Sequence, residues 1–103
     1  MIPITNDQFK ELTNQKKTFV LYFTSKDCGA CKQFKPFVIS AEETYNKYPF
    51  FLVDVEENEK LTSFLGVASL PTTSFIVDGE EKARLYGNVG KLSLAREAAR
   101  CLS

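Results

Sequence analysis

The chain has no histidine, no tryptophan and a single methionine, and neither charge is in excess: thirteen Lys and Arg residues balance thirteen Asp and Glu. A neutral balance leaves no electrostatic footprint for nucleic acid and no field to steer a strongly charged partner. The missing histidines weigh against a metal. Zinc commonly takes four N or S ligands, and three cysteines with no histidine would leave an intrachain site dependent on carboxylates. Three cysteines also cannot all pair within one chain, which argues against the disulfide framework of a small secreted domain. The uninterrupted apolar runs are strand-sized, so no transmembrane helix is expected. Met1-Ile2-Pro3-Ile4-Thr5 lacks a basic segment followed by an apolar one, so no signal peptide is expected. Together these absences predict a protein of the reducing cytosol. No repeat, low-complexity tract or linker interrupts the 103 residues, enough for one compact domain over 1–103 and too few for two.

What is present reads as a well-punctuated globular chain. Nine Phe and four Tyr supply bulky core side chains in place of Trp. Thr5-Asn6-Asp7-Gln8 forms a capping-box pattern with Thr5 at the N-cap, opening a short helix with Phe9 and Leu12 on one face. Thr18 to Thr24 is apolar almost throughout, as a central strand covered on both faces should be. Phe34, Phe37, Val38, Ala41, Tyr45 and Tyr48 then recur at helical steps, which predicts one buried stripe. Pro36 falls inside that stripe and predicts a kink, not a stop. Phe50 to Val55 reads as a second apolar strand, and Glu57 to Leu65 as a short helix closed by Gly66. Thr72 to Val77 and Lys82 to Tyr86 flank Asp78-Gly79, a strong hairpin signal. Lys91 to Leu102 is predicted to be an amphipathic helix with Leu92, Ala95, Ala99 and Leu102 inward and Cys101 off that stripe. The order is αβαβαββα after a short initial strand, which implies a mixed sheet with helices on both faces.

Chemistry concentrates at Cys28-Gly29-Ala30-Cys31, between the apolar run Phe19 to Phe23 and the long helix. Two thiols at this spacing can close a small reversible disulfide, and such a pair on a βα unit reads as redox chemistry. Two plainer readings stand beside it: half of a zinc site, or two buried thiols. The shortage of N and S ligands weighs against the first. Cys101 reads as a small helix residue rather than a regulatory or dimer-forming thiol. Tyr45 and Tyr48 read as packing.

The element order, with C-G-x-C opening the second helix, resembles the thioredoxin family over nearly the whole chain. Leu70-Pro71-Thr72, which opens the hairpin, is similar to that family's cis-proline segment. Asp78-Gly79-Glu80 is similar to its hairpin tip, and Gly87 to a glycine that keeps its substrate groove open. The resemblance implies an α/β thioredoxin fold: three layers, α/β/α, around a mixed sheet of four to five strands. It implies a thiol–disulfide oxidoreductase that reduces protein disulfides, with Cys28 as nucleophile and Cys31 as resolving thiol. Gly29, Ala30, Leu70, Pro71 and Gly87 would form the substrate-binding surface. Cys28 lies where unpaired backbone N–H groups and the positive end of the helix dipole favour the attacking thiolate, with Lys26, Lys32 and Lys35 adding charge. Cys31 falls in the first turn, placed to attack the mixed disulfide and release the reduced substrate. Gly29 lets the backbone turn without a Cβ clash. A cis Pro71 would set the Leu70 backbone beside the cysteines to bond an extended substrate chain. No cofactor or metal is expected beyond the pair. The implied partners are protein disulfide substrates and a thioredoxin reductase-like electron donor, with no nucleic acid and no membrane. The expected state is a cytoplasmic monomer.

Several residues depart from the family pattern. Typical members carry Trp-Cys-Gly-Pro-Cys, whereas Asp27 stands here for the Trp and Ala30 for the Pro. Alanine loses the fixed φ of proline. The charge of Asp27 opposes thiolate formation, and Lys26 offsets it. Tyr22 matches the position of a buried Asp that assists proton transfer at the second cysteine, and Leu52 matches that Asp's Lys partner. With no internal carboxylate, the Cys31 step is expected to be slower than in a typical thioredoxin. Two rival functions remain. One is a disulfide oxidase or isomerase, against which the missing leader argues. The other is a non-catalytic module that binds partners through the same surface, against which the intact cysteine pair argues.

Overall fold

The computed structural model describes residues 1–103. In chain order the elements are β1 (Ile2–Pro3), α1 (Asn6–Asn14), β2 (Phe19–Thr24), α2 (Gly29–Thr44), β3 (Phe50–Asp54), α3 (Glu59–Phe64), β4 (Thr72–Val77), β5 (Glu80–Tyr86) and α4 (Gly90–Leu102). The strands form one sheet in the order β1-β3-β2-β4-β5. β1, β3 and β2 run parallel, while β4 is antiparallel to β2 and β5 to β4. The most apolar strand takes the centre. On β2 the run Phe19 to Phe23 is buried throughout, because both neighbours and both faces are occupied.

Alternation along β2 divides the interior in two. Phe19, Leu21 and Phe23 face one side, where they pack with Phe9 of α1, Leu61 of α3 and Val53 of β3. Val20 and Tyr22 face the other, against Phe34 and Val38 of α2 and Leu94 and Ala98 of α4. The result is the expected three-layer α/β/α arrangement, with five strands.

Local signals account for most boundaries. The Thr5 hydroxyl accepts from the Gln8 N–H at 3.1 Å, and the Gln8 side chain accepts from the Thr5 N–H at 2.9 Å, so two otherwise orphaned donors are satisfied. α2 runs through Pro36 without stopping. Asp78 and Gly79 take φ of 52° and 83°, the two positive values that a two-residue turn between β4 and β5 requires.

Three boundaries or faces differ from the sequence expectation. α3 begins at Glu59 rather than Glu57, because Asp54 holds the preceding segment in a turn. Its side chain accepts from the Glu56 N–H at 2.9 Å, and its carbonyl accepts from the Glu57 N–H at 3.1 Å. β5 begins at Glu80, since the tight turn lets pairing start at Val77–Glu80, and a bulge between Phe75 and Ile76 absorbs the register change. On α4 the inward residues are Leu94, Ala98 and Leu102, not Leu92, Ala95 and Ala99; Leu92 is 62% exposed. Leucines and alanines lie on two faces of this helix. Packing against Phe75 and Val38, not periodicity, selects between them. That rotation also turns Cys101 against the core, where it is half-buried. Tyr45 caps α2 and Tyr48 lies beyond it, yet both pack against the α2–α4 core as expected.

Candidate active site

The C-terminal end of β2 delivers the chain to Cys28 through a short loop. Cys28 is the N-cap of α2, and its sulfur accepts a hydrogen bond from the Cys31 N–H at 3.1 Å. This is where a helix leaves its first N–H groups unpaired and its dipole most positive. Cys28 and Cys31 are joined by a disulfide, with their Cα atoms 5.2 Å apart. Their exposures are unequal. Cys28 is half-buried, while Cys31 is 1% exposed. An external reactant therefore meets Cys28, and Cys31 is reached only through it. Gly29 and Ala30 stand open to solvent at the start of the helix. Lys26, Asp27, Lys32 and Lys35 are also exposed, and none belongs to an ion pair.

Register brings the remaining candidates to the same end of the sheet. Phe23 lies opposite Thr72, and Thr72 opposite Tyr86. Pro71 and Gly87 each lie one residue further on and so flank Thr24 and the loop to Cys28. The Leu70–Pro71 peptide bond is cis, and Pro71 is buried. Gly87 has φ of +76°, and its N–H donates to the Pro71 carbonyl at 2.6 Å. The Thr72 hydroxyl donates to the Ser69 carbonyl at 2.7 Å and ties the loop back on itself. Leu70 is half-buried against the α1–α3 core. A cavity of about 570 Å³ lined by Phe9, Phe64 and Ile76 lies elsewhere, between α1, α3 and the hairpin. The cysteine site itself opens on the surface, with Gly29 and Ala30 exposed beside the half-buried Cys28.

Beneath the pair lies an interaction that sequence reasoning missed. Tyr22 is 0% exposed, and its hydroxyl donates to the Cys31 carbonyl oxygen at 2.6 Å. Burial pushes its phenol up from 10.0 to about 12, so it stays neutral under ordinary conditions. Leu52 is its register neighbour on β3, and no charge replaces it there. The only sequence signal was a hydroxyl-bearing residue at an inward position of an otherwise apolar strand. Burial also raises the thiol pKa of Cys101, with Glu97 adding to the shift and Arg100 opposing it, which disfavours its thiolate.

Similarity to known proteins agrees with this geometry. The thioredoxin family profile matches residues 1–100. Thioredoxin 1 of Plasmodium falciparum is 30% identical over 89 residues, covering 84% of this chain and 86% of that protein. Malassezia sympodialis thioredoxin is 34% identical over 83 residues, with 79% of each chain covered. The X-ray structure of Fasciola hepatica thioredoxin superposes with a TM-score of 0.88 at 28% identity, over 98% of this chain and 99% of that one. Other relatives are longer: the chain spans 59% of the length of the H-type thioredoxin of Populus jackii, with which it shares 28% identity over 82 residues. On its profile match, its fold and its paired cysteines, the chain belongs to the thioredoxin family.

Proposed function

We propose that this protein is a thiol–disulfide oxidoreductase that reduces protein disulfides through Cys28 and Cys31. One observation carries the reading: a half-exposed sulfur at a helix N-cap is bridged to a buried sulfur one turn on. In the dithiol form the Cys28 thiolate attacks a substrate disulfide, forming a mixed disulfide and expelling one substrate thiolate. Cys31 then attacks the Cys28 sulfur. The Cys28–Cys31 bond forms, the bond to substrate breaks, and the Cys31 proton ends on the departing thiolate. Two electrons reduce the substrate and oxidise the pair, and a thioredoxin reductase-like donor returns them. Gly29, Ala30, Leu70, Pro71 and Gly87 form the surface on which an extended substrate segment lies. No helix is long and apolar enough to cross a membrane, and we assign the protein to a reducing, cytoplasmic setting as a monomer.

A redox titration of the pair in thiol buffers, read by alkylation and mass spectrometry, tests the direction of the reaction. A potential near about −270 mV, typical of thioredoxin, supports the reductase; one near about −120 mV supports an oxidase instead. A pair that never forms a disulfide reduces the site to a binding module. Cys28→Ser is expected to abolish turnover, and Cys31→Ser to accumulate mixed disulfides with substrate. Turnover retained in Cys28→Ser would overturn the assignment of the nucleophile.

A further inference from the structure

A second buried hydroxyl lies beside Tyr22 and plays no part in the chemistry above. Thr73 is 0% exposed, and its hydroxyl has no hydrogen-bond partner. It stands directly opposite Tyr22 on β2 and Leu85 on β5. Directly opposed residues of antiparallel strands project to the same face. Tyr22 and Leu85 both belong to the α2–α4 core, so the Thr73 side chain lies in that core too, on the side from which Tyr22 reaches Cys31. Native proteins seldom leave such a group orphaned, and each case calls for a reason.

The disulfide itself supplies one. In the oxidised form the Cys31 sulfur carries neither a proton nor a charge and is held by its bond to Cys28, out of hydrogen-bond reach of Thr73. Reduction adds two electrons and two protons across the pair, and Cys31 becomes a thiol that can donate weakly or a thiolate that accepts strongly. We propose that the Thr73 hydroxyl is a redox-dependent hydrogen-bond partner of Cys31, paired with its sulfur in the dithiol form and orphaned in the disulfide form, while Tyr22 anchors the cysteine's backbone above it. The inference rests on the redox reading proposed above. Thr73 is a positioning residue in this account: it stabilises the reduced state and makes the pair a weaker reductant than it would otherwise be.

The test is the dithiol–disulfide equilibrium constant of Thr73→Val, nearly the same shape without the hydroxyl, measured beside wild type. The expected shift is about fivefold toward the disulfide, the effect of one ordinary hydrogen bond present in only one state. Thr73→Ser, which keeps the hydroxyl, is expected within about twofold of wild type on the same grounds. The Thr62 hydroxyl on α3 is the other buried orphan. Thr62→Val serves as the control, because it should change both redox forms equally and leave the equilibrium alone. Thr73→Ala against Thr73→Ser repeats the comparison if the valine variant fails to fold. A wild-type equilibrium retained in Thr73→Val, or a shift of the same size in Thr73→Ser, overturns the inference and leaves the oxidoreductase reading standing. A wild-type pair that forms no reversible disulfide brings down both.

Discussion

Single residues set the chemistry of this site, and the telling one is Tyr22. A carboxylate at that position would titrate as the pair cycled; a buried phenol does not. Its pKa of about 12 lies above the ordinary 10.0, so the fold favours the protonated form. The linkage has a definite sign. The contribution of Tyr22 to stability is whole below pH 10 and is lost as pH rises through the folded pKa, because the unfolded chain releases that proton first. Urea unfolding of the oxidised protein between pH 9 and 12 should therefore show a fall in stability on the order of 2 kcal/mol attributable to this group. Tyr22→Phe should flatten that part of the profile. An identical base-induced loss in the phenylalanine variant would show that the phenol is not the cause. The cysteine pair was legible from C-x-x-C at a strand-to-helix junction. The bond from Tyr22 to Cys31 was not, because it joins a strand to a helix and depends on how α2 lies over the sheet.

At the scale of elements, the β4–β5 hairpin shows how local chemistry and a tertiary contact combine. Asp78-Gly79 was readable as a turn, and its positive φ values explain the glycine. The sequence alone did not show that the turn presses against the end of α1. The Gly79 N–H donates to the Lys17 carbonyl at 2.9 Å, and a Cβ on Gly79 would meet the Thr13 carbonyl oxygen at 2.5 Å. Gly79→Ala therefore faces both a strained φ and a backbone collision, and it should cost about 2–4 kcal/mol in chemical denaturation. Gly66→Ala shares the positive φ, but a Cβ there meets open space. It should cost only about 1–2 kcal/mol. Equal costs would mean that the contact with α1 yields freely. Helix faces were less legible. α4 carries small apolar residues on two sides, and its periodicity alone could not say which side meets the sheet.

For the whole molecule, the governing fact is that both cores share one strand. β2 contributes Phe19 to the α1–α3 side and Val20 and Tyr22 to the α2–α4 side. Neither side can keep its packing once β2 is lost, so the chain should unfold as one cooperative unit. Phe19→Ala and Phe34→Ala remove fully buried rings from opposite sides. Each should cost about 3–5 kcal/mol, with far-UV circular dichroism and tyrosine fluorescence reporting a single coincident transition. Separate midpoints for the two probes would split the molecule into two folding units and contradict the one-domain expectation.

Sequence alone settled the order of elements, the capping box on α1, the turn at Asp78-Gly79, the central place of Phe19 to Phe23 and the reactive pair. Each of these depends on residues close along the chain, where period, cap and turn chemistry act. Tertiary structure decided which face of α4 is buried, that Cys101 is sheltered, and that Pro71 and Gly87 flank the loop to Cys28. It also decided that the Tyr22 hydroxyl meets the Cys31 carbonyl and that a second buried hydroxyl, that of Thr73, lies opposite Tyr22 in the sheet. These depend on strand register and on helices settling over a sheet, which are cooperative choices among faces that the local sequence leaves nearly equal in energy.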